Sequence, residues 1–252
     1  MLLGLKSGII YGPVHSRRLG RSLGVNVLPG AVKFCTFNCL YCQYGWTGAH
    51  GRDLPEGVAL PSAAGVSTAV QNALALIDAP PAYITLSGNG EPTLHPNFPE
   101  IVDRLIELRD RYSPGSKTAI LSNSTMVDDE RVRGALARLD VRIMKLDSGT
   151  EEVMRRYNQP SAGVRFERIV DGLAALKDVT VQALFAGGAG GNASPADVSA
   201  WVECMERISP AVVQIYTLDR DYPSRRICPL SKDQLLGIGS RLESKGVRSC
   251  IF

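Results

Sequence analysis

Short apolar segments alternate along the chain with longer segments in which apolar residues recur at helical spacing. Such an alternation is typical of strands that alternate with helices. The apolar segments predict strands at residues 24–28, 83–86, 118–121, 141–146, 179–185, 212–217 and 247–252. The helical patterns predict helices at residues 67–77, 97–111, 128–139, 166–177, 195–208 and 232–245. The chain therefore reads as six strand–helix units followed by one further strand.

Repeated strand–helix units require parallel strands that are covered by helices, with a right-handed crossover in each unit. An open doubly wound sheet and a partial or full barrel both satisfy this α/β pattern, although a closed barrel normally uses about 250 residues for its units alone. In each architecture the chemistry lies at the C-terminal ends of the strands. The sequence has no internal repeat and no linker rich in Pro, Gly or Ser, so we expect a single domain over residues 1–252.

Composition excludes several classes of protein. The chain has 28 basic and 25 acidic residues, a net charge of +3, and 44% hydrophobic residues, which is typical of a globular protein and does not demand a polyanionic partner. No apolar run reaches the roughly 18 residues that indicate a membrane span. The first ten residues lack the features of a signal peptide. We therefore expect a cytoplasmic protein that does not act in a membrane.

Three of the six cysteines lie close together, with the spacing Cys35-x3-Cys39-x2-Cys42. In a reducing compartment, clustered thiols are typical metal ligands. Three thiolates hold three corners of a four-iron cluster and leave one iron open, as a catalytic centre requires. The alternatives are a structural zinc site in which His50 is the fourth ligand, and three buried thiols that bind no metal. The scattered Cys204, Cys228 and Cys250 receive no predicted role.

Two motifs carry a resemblance to a known family. The segment from Cys35 to Cys42, CTFNCLYC, resembles the signature of the radical S-adenosylmethionine (SAM) superfamily, including the aromatic Tyr41 before the third cysteine. The segment SGNGEP, from Ser87 to Pro92, resembles the superfamily's glycine-rich Glu-Pro turn after the second strand. The resemblance implies a partial (β/α)6 barrel over residues 24–217, with a short N-terminal arm (residues 1–23) and a C-terminal helix and strand (residues 218–252).

The resemblance also implies the cofactors. One [4Fe–4S] cluster would be bound by Cys35, Cys39 and Cys42, and the amino and carboxylate groups of SAM would chelate its fourth iron. An electron from a reducing partner such as flavodoxin or ferredoxin would cleave SAM to methionine and a 5′-deoxyadenosyl radical, which abstracts hydrogen from a substrate. The implied SAM-binding residues are Tyr41, Gly88, Asn89, Gly90, Glu91, Ser122, Asn123, Lys145, Asp147 and Gln182. Among them, we expect Lys145 to pair with the methionyl carboxylate and Asp147 to accept from the ribose.

Arginines ahead of the first predicted strand indicate the substrate. Arg17, Arg18 and Arg21 form a cationic cluster, and guanidinium groups suit carboxylate or phosphate. Tyr216 ends the sixth strand at the rim where we expect the chemistry. These four residues predict an anionic small molecule or a peptide as the substrate.

Two other functions stay open. The segments at residues 11–24 and 216–231 resemble a subfamily of iron–sulfur oxidoreductases similar to the tRNA wyosine-synthesis enzymes, so modification of a tRNA base is one alternative. Arg225 and Arg226 would then extend the basic surface that binds RNA. The other alternative is a noncatalytic iron–sulfur or zinc-binding protein.

Overall fold

The computed structural model describes all 252 residues, in ten strands and seven α-helices. The strands are β1 (Ile10–Ser16), β2 (Gly20–Val25), β3 (Phe34–Cys35), β4 (Ala49–His50), β5 (Tyr83–Leu86), β6 (Lys117–Ser122), β7 (Val141–Lys145), β8 (Thr180–Leu184), β9 (Val212–Tyr216) and β10 (Ser249–Ile251). The helices are α1 (Ala63–Leu76), α2 (Phe98–Tyr112), α3 (Glu130–Arg138), α4 (Glu151–Tyr157), α5 (Phe166–Ala174), α6 (Pro195–Ile208) and α7 (Lys232–Glu243). None of these helices has the length and apolar character needed to cross a bilayer.

Eight strands form one sheet in the order β1-β2-β5-β6-β7-β8-β9-β10, and every neighbouring pair is parallel except β1 and β2. From β2 onwards the strands of this sheet follow one another in chain order. A doubly wound sheet instead reverses its strand order at a switch point. The order therefore confirms the partial barrel of six strands, β2 and β5 to β9, with β10 as the extra C-terminal strand. The remaining strands, β3 and β4, pair separately beside the cysteine loop.

Local sequence explains where the longer helices begin. Ser62, Ser194 and Ser231 each precede a helix and accept a hydrogen bond from a backbone N–H in its first turn. Such caps satisfy donors that the helix itself leaves free. The helices then bury their apolar faces against the sheet, as at Trp201 of α6, whose ring packs edge-on against Phe185 at 4.9 Å between ring centroids.

The sequence predicted none of β1, β3, β4 and α4, and it placed the first barrel strand at residues 24–28 instead of Gly20–Val25. The N-terminal arm expected over residues 1–23 contains β1 and most of β2, which form an antiparallel hairpin at the edge of the sheet. Four of the seven residues of β1 are exposed, so its sequence carries no apolar run that would indicate a strand. Helix α4 was also not predicted, since seven residues are too few for a helical period to stand out.

Candidate functional site

The cysteine loop, residues 35–42, lies at the C-terminal ends of the parallel strands. The backbone N–H of Phe34 donates to the carbonyl of Asn89, in the turn after β5, at 2.9 Å. On its other side, the N–H of Leu40 donates to the carbonyl of Tyr157 at the end of α4, at 3.1 Å. The loop is therefore held between the glycine-rich turn and the segment that follows α4.

Two asparagine side chains donate to the sulfurs of this loop. Asn123 lies just after β6, and its Nδ2 is 3.4 Å from Sγ of Cys35. Asn158 lies just after α4, and its Nδ2 is 3.4 Å from Sγ of Cys39. Amide donors aimed at sulfur favour the thiolate over the thiol, and in iron–sulfur proteins they tune the reduction potential of the cluster.

Burial opposes ionisation of the same thiols. It raises the pKa of Cys35, and it raises the pKa of Cys39 to about 11. The buried Lys33 lowers both pKa values, and its Nζ donates to the carbonyl of Gly45 at 2.8 Å. Without a metal these thiols therefore stay protonated near neutral pH, and a metal that binds them must displace their protons.

This donor set fits a cluster better than a single ion. No three His, Cys, Asp or Glu side chains converge as a single metal ion requires, and His50 is exposed although it pairs in register with Cys35. The zinc site with His50 as the fourth ligand therefore gains no support from the structure. In a four-iron cluster each cysteine binds a different iron, so three thiols spread over one buried loop with amide donors match that cofactor.

The glycines of the turn after β5 are required by close backbone packing. Gly90 has φ of 141°, and a Cβ at this position would lie 1.7 Å from the carbonyl oxygen of Phe34. Gly88 has φ of 140°, and its Cβ would lie 2.4 Å from Oδ1 of Asn26. The turn can therefore approach the start of the cysteine loop only because both residues lack a side chain.

The side chain of Asn89 faces away from the cysteines. Its Oδ1 accepts from the N–H of Lys6 at 2.7 Å, and its Nδ2 donates to the carbonyls of Lys6 and Pro29, each at 2.8 Å. The main chain of Asn89 is engaged as well, since its N–H donates to Oδ1 of Asn26 at 3.1 Å and its carbonyl accepts from Phe34, so Asn89 shapes the turn rather than presenting its side chain to a cofactor.

The carboxylate of Glu91 joins the ends of β5 and β6. Its Oε1 accepts from Thr93 Oγ1 at 2.6 Å and from Ser122 Oγ at 2.9 Å, and its Oε2 accepts from the N–H of Asn123. Burial raises the pKa of Glu91, although these hydrogen bonds oppose the shift. The side chains of Glu91 and Ser122 therefore fix the backbone around Asn123 rather than facing open space.

A polar network continues across the ends of β7 and β9. Nζ of Lys145 lies 2.9 Å from Asp147 Oδ1 and 2.9 Å from the hydroxyl of Tyr216. The hydroxyl of Tyr41, in the cysteine loop, donates to Asp147 Oδ2, which also accepts from Asn158 at 2.8 Å. Burial works against the charge of Lys145, but Asp147 and Tyr216 raise its pKa, so this lysine stays an ammonium ion. Asp147 thus connects the cysteine loop to the far wall of the barrel.

The inner face of that wall carries a row of polar side chains. Lys145, Gln182 and Gln214 are register neighbours on β7, β8 and β9. Gln182 donates to Gln214 at 2.9 Å and accepts from the hydroxyl of Tyr216 at 3.3 Å. The predicted residues Lys145, Gln182 and Tyr216 are therefore brought together in one hydrogen-bonded group.

The three arginines of the N-terminal hairpin have different surroundings. Arg17 forms an ion pair with Asp219, and Arg21 donates to the carbonyls of Ala79 and Pro80. Arg18 stacks on Tyr216, with 4.4 Å between its Cζ and the ring centroid. Of the three, only Arg18 therefore reaches the polar wall.

Comparison with known proteins decides the family. The family profile described as "Radical SAM superfamily" matches residues 31–192, which include the cysteine loop, the glycine-rich turn and the polar row up to β8. The chain belongs to the radical SAM superfamily. A UPF0026 protein of Synechocystis (slr1464) is 34% identical over 225 residues, covering 86% of this chain and 78% of its own. A UPF0026 protein of Helicobacter pylori strain J99 is 32% identical over 232 residues, covering 90% and 71%.

Solved radical SAM structures share the fold at low sequence identity. A radical SAM methyltransferase from Sphaerobacter thermophilus superposes with a TM-score of 0.66 and 13% identity, over 92% of this chain and 65% of its own. TYW1 with a bound lysine-pyruvate adduct superposes with a TM-score of 0.58 and 17% identity, over 89% of this chain and 73% of its own. The enzyme anSMEcpe with bound AdoMet superposes with a TM-score of 0.61 and 15% identity, over 90% of this chain and 63% of its own. Membership in the superfamily makes this chain a radical SAM enzyme, with SAM and a [4Fe–4S] cluster as its cofactors.

Sequence reasoning missed three polar residues of this candidate site. Lys33 donates to the carbonyl of Gly45, three residues after the cysteine loop. Asn158 donates to the sulfur of Cys39, and Gln214 accepts from the Gln182 amide. Lys33 lies two residues before the first cysteine, so proximity to the motif was an available signal. Asn158 and Gln214 carry no motif, and only the folded chain places them at the site.

Proposed function

We propose that Cys35, Cys39 and Cys42 hold the [4Fe–4S] cluster, and that the enzyme acts on a small molecule or peptide with an anionic group. When bound, the cluster and SAM supply the chemistry of the class, in which one electron cleaves SAM and the resulting 5′-deoxyadenosyl radical abstracts a hydrogen atom. The residues of the chain bind, orient and shield the reacting groups.

The observation that carries the proposal is the position of Asn158. Its single amide contacts Sγ of Cys39, at 3.4 Å, and Oδ2 of Asp147, at 2.8 Å. One side chain therefore links a cluster ligand to the polar wall of the barrel. A structural metal site gains nothing from such a link, whereas a catalytic site must hold cofactor and substrate in register.

The side chains divide into contact and positioning roles. Asp147 already accepts from Leu184 N–H, Lys145, Asn158 and Tyr41, so its role is to position these groups. Lys145 keeps a charged ammonium at the inner face and is the residue that pairs with the carboxylate of SAM. The main chain of Gly88–Glu91 lies against the start of the cysteine loop, where it meets the SAM amino group.

Asn123, Ser122 and Gln182 then complete the cofactor wall. Asn123 positions Cys35 through its Nδ2, and its Oδ1 is held by Thr125 at 2.8 Å. Ser122 acts through Glu91, and Gln182 aligns the hydroxyl of Tyr216. Tyr41 closes the site from the cysteine loop, with its ring 4.9 Å from the ammonium of Lys145.

The surroundings of the hairpin arginines favour a small anionic substrate over tRNA. Arg17 is paired with Asp219, and Arg21 donates to two backbone carbonyls, so both guanidinium groups already have partners within the protein. RNA binding instead relies on several exposed cations that meet successive phosphates. Arg225 and Arg226 are exposed, so the tRNA alternative rests on those two residues. A reducing protein such as flavodoxin or ferredoxin supplies the electron.

The experiment is anaerobic reconstitution of the wild-type chain, with iron, sulfide and 5′-deoxyadenosine measured after reduction in the presence of SAM. We expect about four irons and four sulfides per chain, together with 5′-deoxyadenosine. Cys39→Ala should lose the cluster and SAM cleavage together, whereas Cys250→Ala, at an exposed cysteine outside the site, should retain both. Bound zinc without sulfide, or SAM cleavage by Cys39→Ala, would overturn the proposal.

A further inference from the structure

The turn between β1 and β2 places Arg18 against the opposite end of the sheet. Its Cζ lies 4.4 Å from the ring centroid of Tyr216, on β9, and 5.8 Å from that of Phe252, just after β10. Tyr216 follows the polar row of the inner wall, and Nζ of Lys145 lies 4.9 Å from the centroid of the same ring. The hairpin thus brings a guanidinium across the open side of the partial barrel to the edge of the site.

Arg18 differs from its neighbours in having no anionic or carbonyl partner. Arg17 pairs with Asp219, and Arg21 donates to Ala79 and Pro80. Nη1 of Arg18 is buried and has no hydrogen-bond partner. A buried donor on a charged group is costly to leave unpaired, and native proteins keep such groups mainly where a ligand or water satisfies them.

Lys145, the other cation on this wall, has partners within the protein. Lys145 already holds Asp147 and the hydroxyl of Tyr216, each at 2.9 Å. Its remaining N–H is the one that we assign to the carboxylate of SAM, whereas Arg18 has neither an anionic partner nor an assigned one. The Tyr216 ring holds the planar guanidinium in place, which reduces the entropy lost when a planar anion binds it.

We propose that Arg18 binds a carboxylate or phosphate group of the substrate, at the edge of the barrel formed by Tyr216. This inference rests on the proposed function, because it names the group by which an anionic substrate is recognised. Arg18 as a whole is only partly buried, so an oxyanion can reach the accessible edge of its guanidinium.

The enclosure of Arg18 points to one compact anionic group. The phosphates of a polynucleotide are met by exposed cations spread along a surface, whereas a single, partly buried guanidinium packed against Tyr216 and near Phe252 suits one terminal oxyanion.

The test is calorimetric titration of the reconstituted enzyme, with SAM bound, using succinate and inorganic phosphate as separate probes. We expect one of the two anions to bind with one site per chain, and the other to bind more weakly, which identifies the source of the oxyanion. Arg18→Gln should raise the dissociation constant of the preferred anion by about tenfold or more. Arg18→Lys should recover only part of the loss, because lysine keeps the charge but not the two-pronged geometry. The neighbouring Arg17→Gln should bind the anion as the wild type does.

Cluster content and 5′-deoxyadenosine formation are measured on the same samples. The inference is overturned if wild type and Arg18→Gln bind the anion with equal affinity. It is also overturned if the wild type cleaves SAM but binds neither succinate nor phosphate. A wild type that assembles no cluster and cleaves no SAM would instead overturn the proposed function, and the anion titration would still decide the role of Arg18. A short RNA is titrated as a further probe. If the RNA binds wild type and Arg18→Gln equally well, and neither small anion binds, the inference is overturned.

Discussion

Asn158 and Cys39 lie 119 residues apart in the chain, and the amide of one donates to the sulfur of the other at 3.4 Å. The same amide reaches Asp147, which in turn holds Tyr41 and Lys145. The cysteine loop and the inner wall of the barrel are thus joined through a single side chain. Loss of the Asn158 side chain should therefore affect the cluster and the cofactor pocket together.

Replacing Asn158 by Ala should lower the reduction potential of the cluster, because hydrogen bonds to the sulfurs stabilise its more negative, reduced form. We expect the rate of 5′-deoxyadenosine formation to fall by about tenfold or more, as is common when a residue that orients a metal ligand is lost. Potentiometric titration followed by EPR checks the potential. Asn97→Ala, at an exposed residue that makes no side-chain cap, is the matched control. An unchanged potential in Asn158→Ala would argue against this link.

Lys33 is a buried cation beside the cysteine loop, and it lowers the pKa values of Cys35 and Cys39. Lys33→Gln should therefore lower the reduction potential of the cluster, since a positive charge favours the added electron. Lys33→Arg keeps the positive charge, so its reduction potential should stay close to that of the wild type. Lys117→Gln, at an exposed lysine, should leave the reduction potential unchanged. A Lys33→Gln enzyme with the wild-type potential would show that this charge does not act on the cluster.

Gly90→Ala places a Cβ 1.7 Å from the carbonyl of Phe34 at φ of 141°. We expect a loss of about 3 kcal/mol or more in the free energy of unfolding, together with poor cluster assembly, since the turn must move away from the cysteine loop. Gly115→Ala, where a Cβ meets no atom within 4 Å, is the control. Urea unfolding and iron analysis measure both effects. Normal stability and iron content in Gly90→Ala would refute this account of the turn.

Glu91 gives a pH-dependent prediction. Burial raises the pKa of Glu91 from the ordinary value of 4.5, so ionising it costs more in the folded than in the unfolded chain. The stability of the metal-free protein should therefore contain a component that is full below pH 4.5 and is lost as the pH rises through the raised pKa. Glu91→Gln removes this component and should cost about 1–3 kcal/mol, because its amide cannot accept from all the donors around the carboxylate. Urea unfolding of both proteins between pH 4 and pH 8 makes the comparison. Parallel pH profiles for the two would contradict the direction of the shift.

The sequence predicts the motifs of this site better than it predicts their surroundings. Cys35, Cys39, Cys42 and the turn at Gly88–Glu91 follow local spacing rules, so they are recognisable before folding. The strands at their sides were also predictable, since buried parallel strands are continuous apolar runs. Asn158 had no such signal, because its role depends on a contact over 119 residues.

Several residues that the sequence predicts as cofactor or substrate contacts have specific protein partners in the structure. Asn89 binds Lys6 and Pro29, and Ser122 binds Glu91. Of the hairpin arginines, only Arg18 reaches Tyr216. These distinctions depend on side-chain directions in three dimensions, which periodicity along the chain cannot provide.

The central claim is that the cysteine loop holds a four-iron cluster with one iron open to SAM. The most direct test is the EPR spectrum of the reconstituted protein after reduction, recorded with and without SAM. The account predicts the signal of a reduced [4Fe–4S] cluster whose g-values change when SAM is added, and no such cluster signal in Cys39→Ala. A wild-type spectrum without an iron–sulfur signal, or one that SAM leaves unchanged, would contradict it.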